Sequence, residues 1–234
     1  MLILAFETSA KAGSVALHNG TALLGESYCN TGLTHSQTLM TMAEALLQNC
    51  GHTPQDVTAV AVAAGPGSFT GVRIGVAAAK GFAWGAEIPC HGVSTLEAMA
   101  LSLGVHNGYV LPVMDARREQ VYNALFYAAD GKLQRKTEDR AIALADLAEE
   151  IKLLEEPIFL VGDGSILCYT MLKDQIPGLI LPPEHRMHQR ASGVALAALQ
   201  NPDSGDGSAL TPNYLRLSQA ERERLVREQN KGDK

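Results

Sequence analysis

Positive charge is in short supply: 19 Lys and Arg stand against 25 Asp and Glu, for a net charge of −6. No overall positive field draws such a chain to nucleic acid, so any RNA contact is expected to be local or to come through a partner. Paired cysteines are missing too. Cys29, Cys50, Cys90 and Cys168 are far apart with no Cys-x-x-Cys spacing, which excludes a disulfide framework or a zinc knuckle and fits reduced thiols used as small core residues in a cytosolic protein. The chain opens without a basic run or a cleavage site, and Glu7 ends the first apolar stretch far short of membrane-spanning length. Residues 2–6 are therefore expected to be a first strand, in a cytoplasmic protein without membrane attachment. At 234 residues and 46% hydrophobic, there is material for one large domain or two of roughly 100 residues each.

Between Gly65 and Lys80 there is no lysine, although residues 65–71, Gly-Pro-Gly-Ser-Phe-Thr-Gly, form a glycine-rich turn between a strand-like run (57–64) and a helix-like run (72–85). The P-loop, which needs Gly-Lys-Ser/Thr, is thereby excluded. Thr70 stands where the dinucleotide fingerprint needs its third glycine, and Pro66 and Thr70 flank Ser68 where a nucleophile elbow needs glycines, so those two chemistries fit poorly. Two readings stay open. Gly65, Gly67 and Gly71 let another backbone approach closely, or Gly65, Gly67, Ser68, Thr70 and Gly71 present amide groups at a helix N-terminus to an anion such as phosphate.

Asn19-Gly20 between strand-like runs 13–17 and 22–28 predicts a hairpin. Residues 36–50 place Leu39, Met42, Ala43, Leu46 and Leu47 at helical spacing, with Gly51 and Pro54 beyond; this is an amphipathic helix. The helix 72–86 carries only Arg73 and Lys80 as charges, on one stripe, and is otherwise apolar or small. Such a helix is covered on more than one side, by its own chain or by a partner. A strand at 88–91 and a helix at 94–103 complete the order β-β-β-α-β-α-β-α. Strands at 110–114, 121–127, 133–136, 158–161 and 179–181, with helices at 144–153, 165–172 and 189–199, then repeat that order, again with a glycine turn (Gly162-Asp163-Gly164) after a strand. A duplicated α/β unit is expected, with a cleft between the glycine turns: an N-terminal lobe over 1–105, a C-terminal lobe over 106–218 and a charged tail over 219–234.

The repeated order, the opening Phe6-Glu7-Thr8-Ser9, the run from Gly65 to Gly75, Gly92-Val93-Ser94-Thr95-Leu96, Asp115-Ala116-Arg117 and Tyr214-Leu215-Arg216 together resemble the bacterial TsaB (YeaZ) family of tRNA threonylcarbamoyladenosine biosynthesis. The resemblance spans nearly the whole chain. It implies a duplicated actin-like (ASKHA, ribonuclease-H-like) α/β fold of two lobes, each a mixed sheet flanked by helices, often labelled peptidase-M22-like. The family is similar to a catalytic paralogue, TsaD, which uses a metal held partly by two histidines four apart in a His-Leu-Glu-Gly-His stretch. Here that stretch is Thr95-Leu96-Glu97-Ala98-Met99, and a hydroxyl and a thioether do not replace two imidazoles. No catalytic residue, metal or tightly held cofactor is therefore expected, beyond weak ATP or ADP at a complex interface.

The resemblance further implies a non-catalytic scaffold subunit that pairs with TsaD through its N-lobe helices, is joined by the ATPase TsaE, forms a homodimer when alone, and meets tRNA only through the complex. The expected interface residues are Leu39, Met42, Ala43, Leu46, Ile74, Gly75, Ala78, Ala79 and Phe82; a charge at Ala78 or Ala79 is expected to block association and leave the fold intact. Three alternatives are weighed against this. A metallopeptidase lacks His-Glu-x-x-His, and Cys90-His91 are only strand neighbours. An actin-fold small-molecule kinase or other nucleotide-binding protein has Asp115 or Asp163 available, but no Lys or Arg in its glycine loop. Direct tRNA binding has the small cluster His185, Arg186, His188 and Arg190, and arginines interleaved with glutamates towards the tail, a pattern of a solvated helical face. His35 is expected to serve local capping.

Overall fold

The computed structural model describes residues 1–104, 107–201, 207 and 209–216; the tail at 219–234 lies outside them. Strands β1 (Ile3–Glu7), β2 (Gly13–His18) and β3 (Leu23–Cys29) lead to α1 (His35–Asn49), β4 (Ala59–Gly65), α2 (Phe69–Ala86), β5 (Cys90–Ser94) and α3 (Thr95–Leu103). The second half comprises β6 (Gly108–Asp115), β7 (Gln120–Asn123), β8 (Phe126–Ala129), β9 (Lys132–Arg135), β10 (Arg140–Ala143), α4 (Leu144–Ile151), β11 (Ile158–Val161), α5 (Ser165–Leu172), β12 (Leu179–Ile180) and α6 (Ala191–Gln200). The sheets run β3-β2-β1-β4-β5 and β10-β7-β6-β11-β12, with the β8–β9 hairpin attached to β6. With the β8–β9 hairpin set aside, each half therefore has the same order counted from its first strand. The predicted hairpin is present: Gly20 has φ +93°, and the Asn19 side-chain oxygen accepts from the amides of Thr21 and Ala22.

Alternation along the central strands divides the first core into two unlike faces. Leu4, Phe6, Val60 and Val62 point to one side, where Leu39, Ala43, Leu46 and Leu47 of α1 and Val72, Val76, Ala79 and Ala83 of α2 cover them. Ile3, Ala5, Ala59, Ala61 and Ala63 point to the other, where Ala98 of α3 and the alanine-rich α6 pack. Small side chains on both partners bring this second layer in close: a Cβ on Gly193 of α6 would overlap the Ala98 carbonyl oxygen of α3. The opposite flank of α3, with Leu96, Met99, Ala100 and Leu103, packs on β6, β8 and β11 of the second sheet. One helix is thus shared by both lobes.

Four departures from the expected elements bear on the sheets and their cover. Helix α6, expected with the second half, crosses back to cover the first sheet. Strand 121–127 is interrupted at Ala124-Leu125: β7 and β8 continue one register along β6, with Met114 opposite Tyr122 and Tyr109 opposite Tyr127, but the Leu125 amide turns away to donate to Thr137 Oγ1 at 2.8 Å. Strand β10 has no counterpart in the expected elements, being four half-exposed residues at a sheet edge. Strand β5 starts at Cys90 and runs through Gly92, because Ile88 still donates its amide to Ala83 at the end of α2.

Replacing glycine by alanine in an open helix stabilises by about 1 kcal/mol, and Gly81 of α2, around which a Cβ would meet nothing within 4 Å, should follow that rule. At Gly193 the sign should reverse, with Gly193→Ala costing about 1–3 kcal/mol. Urea denaturation of the two variants beside the parent checks both.

Candidate functional site

The loops that follow β1, β4, β6 and β11 gather at one end of the two sheets, where the carboxyl ends of parallel strands leave a crevice. They enclose a cleft of about 510 Å³, with Ser9, Lys11, Ser68 and Thr70 on one side, Asp115, Arg117 and Asp163 on the other, and residues 213–216 along its wall. That volume is in the range of small-molecule sites.

The glycine loop earns its composition by packing. A Cβ on Gly67 would stand 2.6 Å from the Ser9 carbonyl oxygen, and one on Gly71 or Gly75 would overlap the Thr8 carbonyl or hydroxyl oxygen. Gly65, at φ +120°, leaves no room beside the backbone of Asn213. Hydrogen bonds close the same contacts: Ser68 donates its amide to the Ser9 carbonyl at 2.6 Å, Thr8 Oγ1 donates to the Gly71 carbonyl at 2.8 Å, and Asn213 donates its amide to the Ala64 carbonyl at 2.6 Å. Ser68 is the N-cap of α2, which begins at Phe69 rather than Val72, and its Oγ accepts from the Gly71 amide. Close backbone approach, one of the two readings of this stretch, thus accounts for Gly65, Gly67 and Gly71. Ser68 and Thr70 remain exposed on the cleft.

Glu7 lies behind this surface, fully buried. Its Oε1 accepts from the Ser9 amide at 2.5 Å, while Oε2 has no hydrogen-bond partner among the described residues. Burial drives its pKa up to about 7, partly offset by the bonds from Ser9, and the Asp163 carboxylate raises it further. Asp163 opens onto the cleft, accepts from Gln189 Nε2 at 2.7 Å, and is itself raised by desolvation. Asp115 caps its own turn, its Oδ1 accepting from the Arg117 amide at 2.7 Å. Sequence reasoning quoted Glu7, Asp115 and Asp163 but missed the placement of Lys11 and of residues 213–216 at the cleft, which only the folded chain brings there.

The expected interface residues separate cleanly. Leu39, Ala43, Leu46, Gly75 and Ala79 face the sheet and are buried, so they belong to the core of the monomer; this corrects their assignment to a partner surface. Met42, Ile74, Ala78 and Phe82 are half-buried at the edge of that core. The outward faces of the two neighbouring helices instead carry Met40, Glu44 and Gln48 on α1 and Arg73, Ala77, Gly81 and Trp84 on α2. Trp84 is 87% exposed. Its position on the polar stripe with Arg73 and Lys80 could have been taken from the same helical spacing.

A sequence profile described as tRNA N6-adenosine threonylcarbamoyltransferase (TsaD) matches residues 30–221. The tRNA threonylcarbamoyladenosine biosynthesis protein TsaB of Bacillus subtilis is 36% identical over 224 residues, 94% of this chain and 96% of its own. The chain belongs to the TsaB (YeaZ) family. The TsaB protein of Escherichia coli is 39% identical over 153 residues, 64% of this chain and 65% of its own. A Pseudomonas aeruginosa structure described as similar to peptidase YEAZ superposes with a TM-score of 0.76 at 24% identity, covering 92% of this chain and 99% of that one. The fold is the actin-like one, with its duplicated sheet and flanking helices.

In this TsaB-family chain, residues 95–99, the stretch expected to correspond to the paralogue's histidine stretch, start α3. Thr95 and Met99 are fully buried, Met99 among Leu96, Met114 and Val161, so neither side chain opens onto the cleft. Glu97 between them is engaged by Arg135 of β9 at 3.3 Å, and Arg135 also holds Asp139 at 2.7 Å. Cys90 is buried and its thiol is pushed up to about 11 by desolvation, the opposite of an activated nucleophile. His35 donates Nε2–H to the Ala10 carbonyl at 2.8 Å, tying α1 to the β1–β2 turn rather than capping its helix. Arg190 is occupied by Glu26, the Tyr28 ring and the His185 carbonyl, so this member of the basic cluster is used within the chain, while the His185 and Arg186 side chains stay exposed.

The raised pKa of Glu7 makes a signed prediction. The folded chain holds this proton up to about pH 7 whereas the unfolded one releases it near 4.5, so the group's contribution to stability falls as pH rises between those values and is flat above. Glu7→Gln, which keeps the acceptor for Ser9, should exceed the parent at pH 8 by on the order of 3 kcal/mol and converge with it near pH 4. Denaturation midpoints of both proteins from pH 4 to 8 measure this.

Proposed function

We propose that this chain is a non-catalytic scaffold subunit required for threonylcarbamoyladenosine modification of tRNAs, acting by binding a TsaD-type catalytic paralogue with a TsaE-type ATPase, and pairing with a second copy of itself when alone. The observation that carries the reading is the state of α3. The positions matching the paralogue's metal-binding histidines are a threonine and a methionine sealed in the interlobe core, and the glutamate between them is neutralised by Arg135. The surface left for use includes the outward side of α1 and α2. There Met40 gives an adaptable contact, Trp84 is an anchor of the type that dominates interfaces, and Ala77 and Gly81 leave room for a partner helix beside it. Two adjacent helices suffice for a standard interface of roughly 800 Å² per partner.

A nucleotide-binding role is the second reading, favoured by the cleft itself: Lys11, Arg117 and Arg216 line it, and the Ser9 hydroxyl there is buried without a partner among the described residues. A phosphate-bearing ligand fits those donors. Phosphoryl transfer further needs carboxylates free to hold magnesium, whereas Glu7 is sealed from the cleft, and the two carboxylates that line it are already engaged, Asp115 by the Arg117 amide and Asp163 by Gln189. Weak binding of ATP or ADP without turnover is therefore the expected outcome in calorimetry of the isolated protein with Mg²⁺; tight binding with hydrolysis would favour the second reading over the first.

Mixing the chain with its paralogue and the ATPase, measuring complex mass by light scattering and assaying modification with and without it tests the scaffold role. Trp84→Ala and Ala77→Asp should each weaken association by about tenfold to a hundredfold and lower modification in step, with unchanged melting temperature. Ala79→Asp, at a fully buried position, should unfold the protein instead. Modification proceeding equally well without the chain would end the proposal.

A further inference from the structure

Residues 209–216 cross from the first lobe to the second along the wall of the cleft, and the two ends of this segment are held very unequally. On the first lobe, Leu210 fills the space above Gly92, where a Cβ would overlap its side chain, and the Leu210 carbonyl accepts from Lys80 at 3.0 Å. The Asn213 amide donates to Ala64 at 2.6 Å. Tyr214 stacks on Phe69, the first residue of α2, with ring centroids 4.6 Å apart. Arg73 lies over both rings, at 3.8 and 5.6 Å, and donates Nε–H to the Tyr214 hydroxyl at 2.7 Å. On the second lobe, by contrast, the segment's hydrogen bonding among the described residues is one contact, Arg216 Nη1 donating to the Ala116 carbonyl at 2.5 Å. That carbonyl opens the turn Arg117-Arg118-Glu119, three consecutive non-glycine residues at φ +62°, +56° and +57°, a conformation that L-residues adopt at a cost.

We propose that residues 209–216 are a clasp: permanently seated on the first lobe, it holds the cleft closed through Arg216 and releases it when that single bond to the Ala116 turn breaks. A segment built only for stability would be anchored at both ends. Here the first-lobe end has an aromatic stack, a cation over it, two backbone hydrogen bonds and the Leu210 side chain seated over Gly92, and the second-lobe end has, among the described residues, one charged donor on one carbonyl. Opening there leaves the first-lobe packing intact, and the turn that carries the Ala116 carbonyl keeps its own bonds, from Ala116 to Gln120, Arg117 to Asp115 and Leu144 to Glu119, when the arginine leaves. Because Asn213 to Arg216 are themselves cleft wall, release both widens the cleft and uncovers its side, independently of any partner on α2.

Spin labels on Gln48→Cys of α1 and Lys173→Cys after α5, both exposed positions, report the interlobe distance in the full chain, with Cys29 and Cys50 changed to serine and the buried Cys90 and Cys168 left in place. The parent should give one narrow distribution. Arg216→Ala should shift it to longer distances and make it about twofold broader, and Arg216→Lys, which keeps a donor, should restore it. Tyr214→Ala, which loosens the seat, should also broaden it. A folded Arg216→Ala protein with the parent's distribution overturns the clasp; should that variant not fold, an unchanged distribution in Tyr214→Ala overturns it equally.

Discussion

The separation between the two sheets is set by small residues, and most of the molecule follows from it. Alanines alternate with large side chains along β1 and β4, so one face of the first sheet admits α3 and α6 at close range while the other needs the bulk of α1 and α2. The absence of a side chain at Gly193 lets the inner helices cross nearly backbone to backbone. With that layer thin, α3 touches both sheets at once, and the ends of β1, β4, β6 and β11 come near enough to share a cleft. A thicker layer would leave two lobes without a common site.

The same thinness explains the burial of Thr95 and Met99. A side chain at position 95 or 99 lies in the shared layer, and whatever stands there must either reach a ligand or fill space. Met99, unbranched and adaptable, fills space. Glu97, between the two, is held by Arg135, which the β8–β9 hairpin supplies. With a threonine at 95 and a methionine at 99, the start of α3 is thus a piece of core shared by both sheets.

Much of this architecture could be read from the residues alone. The six α-helices among the described residues and the repeated order of the halves were legible, most clearly α1, where a long amphipathic pattern of Leu39, Ala43, Leu46 and Leu47 carries a strong signal. What escaped depends on contacts far apart in sequence. Gly92 interrupts the strand pattern of β5 because Leu210 needs its space; β10 is too short and too exposed to show alternation; α6 has the same composition whichever sheet it covers. The site suffered likewise. Helical spacing put Leu39, Ala43 and Ala79 on apolar stripes but did not say that the chain's own sheet would take those stripes, and nothing local to Tyr214 or Arg216 points to a cleft formed by Ser9 and Asp115.

The return of α6 to the first sheet has a consequence for how the protein is made. During synthesis the first five strands leave the ribosome with Ala5, Ala61 and Ala63 uncovered on one face, and their cover, residues 191–200, emerges only after the whole second sheet. Domains ordinarily fold as units in the order they are made; here the earlier half waits for nearly the last helix, so the nascent chain carries an open alanine face through most of its translation, and both halves reach their final form together.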